Sequence, residues 1–177
     1  DNNRQKTLEN SKPALYNEEE LENSAQNTVT YAKNATGLTE AEYITVKEKT
    51  GWSDEVIGFI RSMSEAEIYI NAGLIEIDFN GRKCLMNRNV DMDYVGPDGR
   101  SNRERIKDGL SPIANNGEVV HLHHIGQKND SPLAELTSSE HKGNTAVLHD
   151  MTKPSEINRN EFDKIVKKYW KFRANYY

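Results

Sequence analysis

All five histidines of this chain, His121, His123, His124, His141 and His149, fall within one short stretch, and the rest of its 177 residues contain none. Any fold this sequence adopts has to accommodate that concentration of imidazole. Histidine is the commonest protein metal ligand and the side chain best matched to proton transfer near neutral pH. A solitary histidine is ordinarily a surface residue or a buried hydrogen-bonding group; five so close together point to a shared site.

The local pattern sharpens this expectation. After the turn signal Asn115, Asn116, Gly117, residues 118–125 read as a strand. In an extended segment His121 and His123 project to one face and Leu122 and His124 to the other, with Gly126 just beyond allowing a twist. Adjacent histidines at a strand end can therefore place one imidazole on a cation and leave its neighbour free to take a proton from water. A second apolar segment, 133–136, leads into Thr137 and Glu140, which have capping-box spacing and put His141 in the first turn of a helix. On one unbroken helix His141 and His149 would stand roughly 12 Å apart along the axis, too far to share one ion. Gly143 and Asn144 form a plausible break that lets His149 fold back; failing that, Asn144 supplies an oxygen.

Upstream, Thr39 and Glu42 predict a helix that stops at Gly51, Ser53 caps another through Phe59 and Ile60 with Trp52 and Ile57 as a hydrophobic staple, and Ser64 with Glu67 opens a third that ends at Gly73. The period then changes to alternation: residues 74–79, the turn pair Asn80 and Gly81, and residues 82–86 predict a β-hairpin. Residues 87–117 read as loop-rich. The chain closes with an amphipathic helix from about Asn158, with Phe162, Ile165, Val166, Tyr169 and Trp170 on one face and Lys164, Lys167, Lys168 and Lys171 mostly off it.

Apolar residues make up 35% of the chain and mean hydropathy is -0.86, values low enough that part of the chain should add little to a core. No apolar run is long enough to span a bilayer, so no stable membrane insertion is expected. The single cysteine, Cys84, is expected to be a packed thiol. The net charge of -5 is unevenly spread: residues 1–70 hold seven Lys and Arg against thirteen Asp and Glu, while residues 151–177 hold seven against three. Local positive surface, more than the total, decides whether a phosphate can approach. The chain begins without an initiator Met, which reads as a piece of something longer.

Residues 120–127 (VHLHHIGQ), 131–136 (SPLAEL), the pair Glu140 and His141, and the pair Leu148 and His149 resemble the LHH nucleases of the HNH/endonuclease VII (His-Me finger) superfamily. These occur as toxic C-terminal modules of bacterial polymorphic and contact-dependent inhibition toxins. The resemblance extends through residues 91–94 (DMDY), 99–105 (GRSNRER) and 109–112 (GLSP), and on to the helix of Tyr169 and Trp170. It implies an α+β fold, with a ββα-metal finger embedded in a helical domain that carries a short β-hairpin. It also implies phosphodiester cleavage, usually of DNA, and one divalent metal ion, whether Zn, Mg, Mn or Ni.

By that resemblance His123 is the first metal ligand, His124 the general base and His141 the helix ligand. The family pattern places a further ligand four residues on, where this chain has Thr145; His149 is the preferred substitute and Asn144 the other. His121 occupies a position where colicin-type relatives often have a carboxylate, and either orients the base or stands by. Arg105, and after it Arg100, are candidates to hold the scissile phosphate, and Asn102 and Gln127 either bind substrate or hold their loop. The resemblance further implies a cognate immunity protein, delivery as part of a larger bacterial toxin, and action in the target-cell cytoplasm. Asp1, Asn2 and Asn3 resemble the end of a VENN-type junction, which would make residues 1–75 a helical lead-in or delivery segment and 76–177 the nuclease domain. Two alternatives differ in kind: a ribonuclease on the same scaffold, and a non-catalytic zinc-binding interaction module. The scarcity of cysteine weighs against the second, since structural zinc sites usually contain thiolates.

Overall fold

The computed structural model describes residues 37–177, and the part of the expected 1–75 lead-in that precedes Gly37 lies outside the described residues. Thr39 opens α1 (Glu40–Thr50) with a complete capping box to Glu42, and Gly51 closes it in the left-handed region at φ 71°. Ser53 caps α2 (Asp54–Ile57), which is shorter than expected: Gly58 ends it, and Phe59 and Ile60 continue as tight turns onto Val56 and Ile57. Trp52 and Ile57 are both buried in one cluster, as a staple requires.

The third helix, α3 (Met63–Asn71), is capped by Ser62, two residues before the expected cap Ser64. Ser62 accepts from the Glu65 amide, and the Glu65 carboxylate accepts from the Arg61 amide and the Tyr69 hydroxyl, both at 2.8 Å. Starting the helix there buries Glu65 fully with its partners in place, and this outweighs the equally spaced Ser64 and Glu67 pair.

The hairpin forms as predicted from β1 (Leu74–Phe79) and β2 (Arg82–Asn87), joined by Asn80 at φ 51° and Gly81 at φ 86°, the doubly left-handed turn that matches strand twist. The expected boundary after residue 75 falls inside β1. Within the stretch read as loop lies a helix, α4 (Asn102–Lys107), capped by Ser101 and Glu104. Its signal was the capping spacing at 101–104; only Ile106 and Asn102 are buried, so no apolar stripe marked it.

Two further strands, β3 (Val120–His124) and β4 (Leu133–Thr137), pair antiparallel, and β4 runs parallel to β2. The sheet order is β1-β2-β4-β3, which leaves β3 on an edge. The Thr137 and Glu140 capping box then opens α5 (Ser138–Gly143), followed by α6 (Thr145–Leu148), the long α7 (Arg159–Arg173) and a closing 3-10 turn (Ala174–Tyr176). The result is a mixed α+β fold, with no described helix long and apolar enough to cross a membrane.

The sheet has a core on each face. On one, Leu85, Ala134 and Leu136 pack with Tyr43, Val46, Trp52, Val56, Ile57 and Tyr69 of the first helical region. On the other, Cys84, Leu122 and Leu133 pack with Tyr169 and Trp170 of α7. The helices ahead of the hairpin thus share a core with β2 and β4. Beneath α7 the Glu135 carboxylate, fully buried, accepts from the Tyr169 hydroxyl at 2.6 Å, from Arg173 at 2.5 Å and from the Asn87 amide at 3.0 Å. Removing one member of a buried ion pair leaves an uncompensated charge, at a cost of about 3–5 kcal/mol. Glu135→Ala should therefore lose about that much in urea unfolding, and a loss under about 1 kcal/mol would show that α7 is held by its apolar face alone.

Candidate active site

His121 and His123 pair with Leu136 and Ala134 across the β3-β4 ladder, and His124 pairs with Leu133. Side chains alternate along a strand, so His121 and His123 share the sheet face that carries Ala134 and Leu136, while Leu122 and His124 face α7. The contacts agree: His123 lies 6.4 Å from the Tyr69 ring and His124 4.3 Å from the Phe162 ring. Because β3 is an edge strand, both faces open onto one cleft of about 630 Å³, lined by His121, His123, His124, His141 and His149 among others.

The break after α5 brings His149 back. Asn144 donates from its side chain to the Glu140 carbonyl at 2.8 Å, and Thr145 donates from its hydroxyl to the Lys142 carbonyl at 2.9 Å, local bonds that compete with continuing the helix. Asn144 is thereby turned to its own helix, and His149 leaves α6 in extended backbone at φ -125° and ψ 133°. His141 Nε2 and His149 Nε2 then lie 3.1 Å apart, and ligand atoms of His123, His141 and His149 all fall within 4.8 Å of one another.

These residues fit a bound metal. At metal–nitrogen distances of about 2.0–2.1 Å, two imidazole nitrogens on a tetrahedral ion stand about 3.3 Å apart, close to the His141–His149 spacing. His123 Nε2 is buried and has no hydrogen-bond partner among the described residues, which a buried polar atom rarely tolerates. Burial, then the neighbouring His141 and His149, holds His123 well below the usual imidazole range; burial and His149 lower His141, and burial and Arg61 lower His149. All three therefore favour the neutral form that a cation requires. Burial, reinforced by Arg82, also lowers His124 to about 4, so its ring is neutral and able to accept a proton.

The remaining candidates are placed differently. His121 is exposed, with Nε2 2.9 Å from the Ser138 hydroxyl, on the strand face opposite His124, so it does not orient that ring. Asn102 is completely buried and fully used: its amide donates to the Asp91 and Ile113 carbonyls and accepts from the Ile113 amide, which makes it a loop brace out of reach of substrate. Arg105 is bound to Asp98 and donates to the Ser111 carbonyl at 2.8 Å, and Arg100 pairs with Asp108 at 3.3 Å. Neither arginine lines the cleft, although Ser111 does, so Arg105 steadies its wall. Gln127 does line it, with Nε2 3.1 Å from His149 Nδ1.

Sequence reasoning missed the cations that do line the cleft, Lys142, Lys153 and Arg159. Lys142 could have been found from its place beside His141; nothing local marked the other two. The lysines of the last helix, Lys164, Lys167, Lys168 and Lys171, are exposed and outside the cleft.

The strand-borne pair of histidines and the third on a capped helix fall within a segment that is similar to a nuclease family. Residues 101–176 match the family model described as "LHH: A nuclease of the HNH/ENDO VII superfamily with conserved LHH". Leu122, His123 and His124 stand as the LHH of the matched segment. No solved structure gives a match.

Outer partners of metal-bound histidines typically contribute 10–100-fold to affinity, so removing a ligand should cost at least about a hundredfold. His141→Ala should lose that much Ni²⁺ or Zn²⁺ affinity in calorimetric titration, and His121→Ala less than about threefold. Equal losses in the two variants would place the ion elsewhere.

Proposed function

We propose that this protein is a metal-dependent endonuclease toxin that hydrolyses DNA, with one divalent cation held by His123, His141 and His149 and with His124 as general base. The observation that carries this reading is the convergence of those three rings, one with an orphaned buried nitrogen, on a cleft that also holds a neutral fourth histidine and three cationic side chains. A divalent cation held by His123, His141 and His149 would supply positive charge to the phosphate under attack.

The chain's own residues do the rest. Lys142, Lys153 and Arg159 attract and seat the phosphate backbone. His124, on the α7 face of the edge strand and packed against Phe162, takes the proton of the attacking water as its oxygen bonds to phosphorus and the bond to the 3′ oxygen breaks. An arriving phosphate anion favours the protonated ring, offsetting the burial that lowers His124 in its absence. Gln127 serves the metal site through His149, and Arg105 braces the wall at Ser111.

The toxin role, the immunity protein, delivery within a larger bacterial protein and action in a target-cell cytoplasm rest on the resemblance that runs from residues 91–94 to the helix of Tyr169 and Trp170. The described helices of residues 40–71 are proposed as an integral wall of the nuclease, since they share its core, with any delivery function left to the chain ahead of them.

His124→Ala should lower plasmid cleavage by about 10²–10⁴-fold, the usual contribution of a positioned base, with the far-ultraviolet spectrum unchanged. Retained cleavage would remove His124 from the chemistry. Chelation should abolish cutting while the fold persists, because both cores are apolar and independent of the histidines; unfolding on chelation would instead favour the structural zinc module. Parallel digestion of duplex DNA and tRNA distinguishes the proposed substrate from RNA.

A further inference from the structure

His149 reaches the other two imidazoles by a chain reversal, and two residues hold the backbone on either side of it. Arg61, from the link between α2 and α3, donates through Nη2 to the Leu148 carbonyl at 2.5 Å and through Nη1 to Gln127 Oε1 at 2.7 Å. The same Gln127 oxygen accepts from the Asp150 amide at 2.7 Å, and Gln127 Nε2 lies 3.1 Å from His149 Nδ1. The peptide before His149, the peptide after it and its ring are thus all tied to one Arg-Gln pair.

The turn that carries Gln127 is itself constrained. Gln127 has φ 59°, a left-handed conformation that side chains other than glycine and asparagine rarely adopt, and such a conformation persists where its surroundings over-determine it. Gly126, at φ 81°, packs so closely on the Phe59 backbone that an added Cβ would come within 3.1 Å of its carbonyl oxygen. The link that supplies Arg61 therefore also fixes the turn that supplies Gln127. Arg61 lies well ahead of the matched segment, residues 101–176.

We propose that Arg61, acting through Gln127, is a positioning residue for His149, so that the helical region ahead of the hairpin completes the metal site of the nuclease domain. The inference rests on the reading of His123, His141 and His149 as ligands. Without the pair, residues 148–150 are free to swing and a site of three ligands falls to two.

The test is Co²⁺ affinity of the purified protein, read by visible absorption and calorimetry, in Arg61→Met, Gln127→Ala, His149→Ala and the Arg61→Met, His149→Ala double variant. Arg61→Met and Gln127→Ala should each weaken binding by about 10–100-fold, the range for outer partners of metal-bound histidine. In the His149→Ala background Arg61→Met should add less than about twofold, since its effect passes through that ring. Wild-type affinity in both Arg61→Met and Gln127→Ala, or equal losses from Arg61→Met in both backgrounds, overturns the positioning role while leaving the ligand set intact. Undiminished Co²⁺ binding by His149→Ala alone overturns the ligand set, and the inference with it. Gln127→Ala keeps Arg61 on the Leu148 carbonyl, so it remains informative if Arg61→Met does not fold.

Discussion

The site depends first on the antiparallel register of β3 against β4. Pairing His123 with Ala134 and Val120 with Thr137 sets the strand histidines opposite the residues that lead straight into a capped helix. A slip of one residue would exchange the faces of the strand, moving His123 toward α7 and His124 toward α5. Register is held from both sides: Ala134 and Leu136 belong to the core beneath the first helices, and Leu122 and Leu133 to the core beneath α7. The imidazoles are thus fixed by apolar packing that does not involve them.

Placing this strand at the sheet edge gives it a second property. A central strand presents its faces to separate layers, whereas an edge strand lets one cleft reach both. The ring proposed to hold the cation and the ring proposed to take the proton can therefore be adjacent in sequence, point to opposite faces and still open to one substrate. Burial keeps both neutral, as each role requires.

Local chemistry was the legible part of the sequence. The capping boxes at Thr39 and Thr137, the Asn80 and Gly81 turn, and the break at Gly143 and Asn144 all act through neighbours in the chain, and each stands where its spacing placed it. The start of α3 was misplaced because a buried partner for Glu65, Tyr69, decided between two equally spaced serines. The helix at Asn102 escaped notice for want of an apolar stripe. Asn102 itself looked available for substrate, yet it is spent on the backbone of residues 91 and 113. Arg61 and Gln127 are 66 positions apart, and no local pattern announces a pair formed by tertiary packing alone.

The central claim is that three imidazoles, from the edge strand, the capped helix and the reversal after it, hold one ion in common. Anomalous diffraction from crystals soaked in Ni²⁺ tests it most directly. One strong peak within bonding distance of His123, His141 and His149 is the predicted result. A peak bound by His121 or His124 in place of any of the three would contradict it.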